Sequence, residues 1–426
     1  MADATEWSHE RRQQQTALAE LNHARLYLSK AQQWSAKFTT AEAPDNLRAM
    51  DAKIGNIETA LQRTADPDQL NQSELARDLA VTLYDYYDKR CRWDDWVRLG
   101  PLGLEACQRL GDTYSLGEAY PAICNGLGIV HRMLNNLKEA IKLYEEALRR
   151  AARDELKSDA LTNMADIHRL RGESEQALRC AQQAVELGQQ ASDKDREAKG
   201  FEYMGLMYTS LKEYEKAIEC HERALRLREE TGNLPRVALA LDFLSAALTE
   251  RGSNDNLKRA LVGYQRACEI ETQLENQQGL ARCYVAIGKI YSRLGEYEKA
   301  IEYLQMASGF QSEIAFLRGV AVTHIELAYA YLRSGRLEQG VFHTEEASKY
   351  RQHLLAPDRV LRAPEFCQAL LETAEYFEQR DVEQAEDFAQ IAIEFATEAK
   401  EDVLLERAKQ LQQRLTQRPT QRKDAR

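Results

Sequence analysis

Eight histidines, eight cysteines and many neighbouring carboxylates are the side chains of this chain best able to do chemistry. Metal sites need such residues at short, fixed spacings. Here the cysteines lie far apart with no C-x-x-C pair, and no H-E-x-x-H or EF-hand loop occurs. The nucleophile elbow G-x-S-x-G and the phosphate loop G-x-x-x-x-G-K-[ST] are also absent. Paired carboxylates such as Glu229 and Glu230 end helical stretches and read as solvated faces. The expectation is a protein that is not an enzyme, with no catalytic residues, no metal and no cofactor.

The chemistry left is that of recognition, and it depends on the elements that present it. Hydrophobic residues make up 44% of the 426 and charged residues 29%, the balance of a folding sequence. Only 8 prolines and 21 glycines interrupt it, and alternating β-branched runs are nearly missing, so the fold class is all-α. The net charge of −11 disfavours nucleic acid and anionic membranes as partners. No apolar run is long enough to span a bilayer, and the first residues are polar, so the expected location is cytoplasmic, with reduced thiols.

Residues 210–224 read SLKEYEKAIECHERA and residues 293–307 read RLGEYEKAIEYLQMA. Around each, a small residue (Gly205, Gly288) is followed three positions later by an aromatic (Tyr208, Tyr291). Two alanines stand twelve and nineteen positions after it (Ala217 and Ala224, Ala300 and Ala307). The frame recurs on Gly128, Ala165, Ser245, Ala328 and Thr373, at steps of 37 to 45 residues. Small residues let two helices approach closely and the aromatic, or His131 and His168 in its slot, fills the space beside them. Each unit is therefore a helical hairpin that cannot bury its apolar face alone, and the copies must stack. Cys180, Cys220, Cys268 and Cys283 fall within these patterns as small packing residues, and His221 takes the position held by Tyr144 and Tyr264.

This frame resembles the tetratricopeptide repeat over residues 70 to 400, with repeats of about 40 residues against the basic 34. The first copy, 83–112, is degenerate: Tyr87 replaces the small residue, and Trp93 and Trp96 lie near the turn. That stretch is similar to the repeat regions of NB-ARC-type signalling ATPases and of long-repeat scaffold proteins. The resemblance implies a right-handed solenoid of helix-turn-helix repeats whose first helices line a concave groove. The positions so implied are Asn125, Arg132, Asn163, Asp166, Arg169, Glu202, Tyr203, Phe243, Lys289, Arg293 and Tyr329. Asn125 and Asn163 can each hold a peptide backbone by donor and acceptor, and Arg132 and Arg169 can fork a carboxylate. The lysine of the chaperone-binding carboxylate clamp is not matched, since Asn125 or Thr162 stands there. The expected partner is a protein or peptide with an acidic or carboxylate-bearing segment. The expected function is a non-catalytic scaffold or adaptor. The alternative is a sensor or regulatory subunit of a separate signalling ATPase or effector, or a receptor for a short signalling peptide.

Residues 1–69 lack the frame. One apolar stripe runs Ala17, Leu21, Ala24, Leu28, Ala31 and a second runs Leu47, Met50, Ile54, Ile57, Leu61, which reads as a helical hairpin turning through 39–46. Two roles stay open for it: a cap over the first repeat, or a surface for homodimerisation or docking. Repeats then occupy 70–352, a loop with two prolines 353–366, a last repeat 367–400, and a capping helix with a basic tail 401–426.

Overall fold

The structure, a computed structural model, describes residues 2–37, 43–66, 72–90, 92–111, 118–313, 317–350, 355–356, 359–360, 363–399 and 401–417. These form twenty helices and one two-residue ribbon. The helices are α1 Ala2–Ser35, α2 Ala43–Asp51, α3 Ile54–Thr64, α4 Ser73–Arg90, α5 Trp93–Leu110, α6 Ala119–Met133 and α7 Leu137–Arg150. They continue as α8 Asp154–Leu170, α9 Ser174–Gln190, α10 Lys194–Ser210, α11 Tyr214–Thr231, α12 Leu234–Arg251, α13 Asn254–Gln273 and α14 Gln277–Arg293. The last are α15 Tyr297–Glu313, α16 Leu317–Arg333, α17 Leu337–Lys349, α18 Ala363–Phe377, α19 Val382–Ala399 and α20 Asp402–Thr416. The chain divides into two compact units, Met1–Met207 and Tyr208–Arg426.

All seven frame residues lie on first helices, from Gly128 on α6 to Thr373 on α18, and all are buried. Their partners on second helices, among them Ala140, Ala217, Ala300 and Ala385, are 0% exposed, as are Ala147, Ala224, Ala307 and Ala392. The close approach is measurable. A Cβ on Gly128 would sit 2.4 Å from Tyr144 Cε1, and one on Gly288 would sit 2.6 Å from Leu304 Cγ.

Five of the hairpin turns share one geometry. The carbonyl of the residue in the aromatic slot accepts the N–H five positions on: Asn136 to His131 at 2.7 Å, Glu173 to His168 at 2.8 Å, Glu296 to Tyr291 and Arg336 to Tyr331 at 2.9 Å. One residue between adopts positive φ, Gly172, Gly295 and Gly335 in three turns and Asn135 in another. The aromatic slot thus fixes the turn by its backbone as well as filling space by its ring.

In the first unit a single apolar cluster runs from Ala24 and Ala31 of α1 through Ile57, Leu61, Leu79, Leu83 and Trp96 to Leu127 of α6. The second N-terminal stripe differs from the expected single helix. It is split at Ala52–Lys53, so Met50 lies on α2 and Ile57 and Leu61 on α3. The break lets polar groups of α2 and α3 meet the first repeat: Tyr86 Oη donates to Asp51 at 2.8 Å and Tyr87 Oη to Glu58 at 2.7 Å. Half of the 39–46 turn, residues 39–42, lies outside the described residues, and Asp45 sits in the first turn of α2.

In the second unit, the proline-bearing loop carries an antiparallel ribbon pairing Leu355 with Val360 and Ala356 with Arg359, which the sequence pattern does not announce. After it α18, α19 and α20 close a second cluster around Phe366, Phe395, Leu411 and Leu415. The basic end, 418–426, lies outside the described residues.

Candidate peptide-binding face

In the first unit, α6, α8 and α10 present the face on which the repeat resemblance places the groove. Arg132 of α6 and Arg169 of α8 converge on one carboxylate. Arg132 Nη1 donates to Asp166 Oδ2 at 2.9 Å, and Arg169 Nη2 donates to Oδ1 at 2.8 Å with Nε at 3.2 Å. Asp166 is buried and uses both oxygens, so the two guanidinium groups are held side by side with one charge of the pair neutralised. Tyr203 of α10 stands half-buried beside this triad. Burial first, then the neighbouring Asp166 carboxylate, pushes its phenol up to about 12, so it remains a neutral hydrogen-bond donor.

The amides are less committed. Asn125 donates from Nδ2 to the Leu156 carbonyl at 3.3 Å, while its Oδ1 is buried with no partner. Asn163 is half-buried and makes no side-chain hydrogen bond among the described residues. Tyr144, under Gly128, also buries its hydroxyl, next to Arg132. Tyr84 lies against Gly126 in the same way, a Cβ there falling 2.7 Å from its ring. Two glycines in α6 therefore let two tyrosine rings lie on the helix backbone. Glu202 is buried on α10, and Asp159 of α8 faces Lys199 at 3.3 Å and Arg196 at 3.6 Å.

In the second unit the same positions are occupied by closed pairs. Arg282 Nε donates to Asp242 at 2.8 Å and approaches Glu271 at 3.5 Å. Lys289, 9% exposed, lies 3.6 Å from Glu250, and Arg293 reaches Glu250 at 3.7 Å and donates to the Thr249 carbonyl. Arg333 covers the Tyr329 ring at 5.3 Å and pairs with Glu372 at 3.4 Å. Phe243 stacks on buried His221, 5.7 Å between centroids, and burial pushes that imidazole down to about 4.

The structure thus brings Arg132, Asp166, Arg169 and Tyr203 together, with Asn163 on the same helix as Asp166. It puts Phe243, Lys289, Arg293 and Tyr329 in the other unit. Sequence reasoning overlooked Tyr144 and the acid–base pairs between successive first helices. A signal was there: bonded partners lie a repeat apart, 34 residues for Arg132 and Asp166 and 40 for Asp159 and Lys199. The histidines also do more than pack. His168 Nδ1 contacts Glu173 at 2.6 Å, reinforcing the turn that its own carbonyl closes.

Residues 118–190 and 156–230 match a tetratricopeptide repeat model, and residues 281–308 match a second model of the same description. These segments are tetratricopeptide repeats. Solved structures repeat the architecture at low identity. A Rap protein in complex with competence and sporulation factor has a TM-score of 0.54 at 16% identity, over 91% of this chain and 99% of that one. Aspartyl phosphate phosphatase F from Bacillus subtilis gives 0.52 at 17%, over 86% and 93%. A signal transduction ATPase with numerous domains from Pyrococcus horikoshii, bearing a tetratricopeptide repeat sensor, gives 0.54 at 16%; the match covers 75% of this chain and 49% of the ATPase. At such identities the likeness shows the fold. No curated protein matches the chain. Among the described residues no helix is long and apolar enough to cross a membrane.

Proposed function

We propose that the tetratricopeptide repeats act as a non-catalytic adaptor whose first-helix face in the N-terminal unit holds an extended segment of a peptide or partner protein. The observation that carries this reading is a partly exposed polar cluster there. Arg132 and Arg169, each about a quarter exposed, are held side by side on Asp166, and Asn163, half-buried and unbonded, stands on the same helix as Asp166. Asn163 offers a ligand backbone a donor and an acceptor together, and the two guanidinium groups keep N–H donors to spare. The triad carries one net positive charge, which suits a single carboxylate of the partner. The pre-formed face loses little entropy on binding. The setting is cytoplasmic, and the N-terminal helices serve either as a cap or as a second docking or homodimer surface.

A second reading is a sensor or regulatory subunit of a separate signalling ATPase, or a receptor for a short signalling peptide. The fold likeness to a Rap protein solved with competence and sporulation factor, and to an ATPase carrying a repeat sensor, favours it. Both readings use the same face. The test is selection of a random peptide library on the full chain, followed by titration of the selected peptides. Replacing Asn163 and Arg169 by alanine should weaken binding by about 2 kcal/mol, the cost of two lost hydrogen bonds. Peptides that bind the double variant as well as the wild type would remove this face from the proposal.

A further inference from the structure

Two imidazoles meet across the α16–α17 hairpin of the second unit. His324 of α16 and His343 of α17 are joined Nδ1 to Nδ1 at 2.9 Å, with ring centroids 5.1 Å apart and planes tilted by 35°. The far side of His343 is packed as well. Tyr331 lies parallel to it at 5.3 Å, and Phe342, exposed, meets it edge-on at 5.1 Å. Tyr331 is itself held by Gln305 of α15, whose Nε2 donates to the hydroxyl at 3.1 Å. The His343 ring therefore cannot turn away without disturbing three helices.

The charges near the pair are few. Glu346 and Lys349 of α17, bonded to each other, act on the rings, and Arg336 lies over the Tyr331 ring at 5.9 Å. Among the described residues, no charged group of α14, α15 or α18 acts on either imidazole.

An N–H···N bond needs one proton between the two nitrogens. Two neutral rings supply it, and so does one imidazolium beside one neutral ring. Two imidazolium rings cannot, because each nitrogen then carries a hydrogen and neither accepts. They would also set two like charges side by side in a half-buried contact.

We propose that His324 and His343 form a proton-operated latch on the α16–α17 hairpin, closed while at most one ring is charged and released when both are. Release loosens α16, the helix that presents Tyr329 and Arg333. Burial drives the direction of titration. Both rings are pushed below the ordinary histidine value of 6.5, His343 to about 4 with the charge of His324 as the second cause. The unfolded or opened segment takes up protons that the closed one refuses. Its stability is therefore intact above about 6.5, declines as pH falls, and is fully lost below about 4.

Hydrogen–deuterium exchange on the full chain tests this. His221 of α11 is buried and lowered too, so the readout must be local and not a melting temperature. After correction for intrinsic rates, the opening constant of α16–α17 should rise by roughly tenfold per pH unit between about pH 6 and about pH 4, while α13–α14 changes far less. His343→Phe keeps a ring against Tyr331 without a titrating nitrogen, leaves only His324 to titrate, and should sharply reduce the acid response of α16–α17. An equal response in α13–α14, or an unchanged response in His343→Phe, overturns the latch. Should that variant fail to fold, carbon-labelled histidine spectra of the wild type decide. Two separated titration steps below the ordinary value support the pair, and one shared step at the ordinary value refutes it.

Discussion

The first-helix faces of the two units are built on the same hairpins and end in opposite states. In the N-terminal unit Asn163 is unbonded and two partly exposed arginines share the single carboxylate of Asp166, which leaves N–H donors and one positive charge in reserve. In the C-terminal unit Arg282 is clamped between Asp242 and Glu271, Lys289 and Arg293 share Glu250, and Arg333 has Glu372. The buried groups still unpaired there include His221 Nδ1 and the hydroxyls of Ser245, Ser292 and Thr373, of which Ser245 and Thr373 are frame residues set against their second helices. On the proposed reading the same scaffold serves cohesion in one place and reception in another.

The largest expected effect probes what the faces share. Gly128→Ala forces a carbon into the Tyr144 ring and Gly288→Ala forces one into Leu304, and each should cost about 2–3 kcal/mol. Urea titration followed by circular dichroism reads both, and a loss confined to one unit would break the comparison at its base. Next comes the difference. Arg282→Ala strips two largely buried carboxylates of their cation and should cost about 2 kcal/mol, a value already reduced because Arg282 is itself half exposed. Arg169→Ala leaves Asp166 with Arg132 and should cost less than about 1 kcal/mol in the same assay. Equal losses would mean that the two faces are equally structural.

A finer measurement concerns Asp242. Burial raises its carboxyl above the ordinary value despite Arg282. The folded state therefore binds more protons than the unfolded one, and stability from this group falls as pH rises through the raised pKa. Asp242→Asn removes that dependence. Its melting temperature relative to wild type should be higher at about pH 7.5 than at about pH 4.5. The opposite slope would show Asp242 to be stabilised by its pair.

The hairpins were legible because packing at a helix crossing tolerates few side chains. Ala217 and Ala300 at 0% exposure leave no room for alternatives, so the frame is written into every copy. The break between α2 and α3 was not legible, because Met50, Ile57 and Leu61 keep helical spacing across it and only Gly55 hints at a stop. The groove positions were partly legible. Resemblance indicated which face Arg132 and Arg169 would share, but an azimuth does not say whether a charge is already matched by the next repeat. That depends on pairs of residues about 40 apart, each unremarkable alone.

Those pairs give the order of the repeats a physical meaning. The frame residues are nearly interchangeable, so by packing alone any copy would accept any neighbour. Removing α14 and α15 from the chain would preserve every small-residue contact type. It would also bring α12 against α16, where Val322 and Tyr329 hold the places of Arg282 and Lys289. Asp242 would then face an aliphatic residue without its base, and Glu250 would keep only an arginine, with Arg333 in the place of Arg293 and a phenol in the place of Lys289. The ladder of acids and bases works as an address on each hairpin: duplication or loss of a repeat creates a mismatch even when the steric pattern is perfect. An array built of near-identical modules is in this way protected against its own internal recombination.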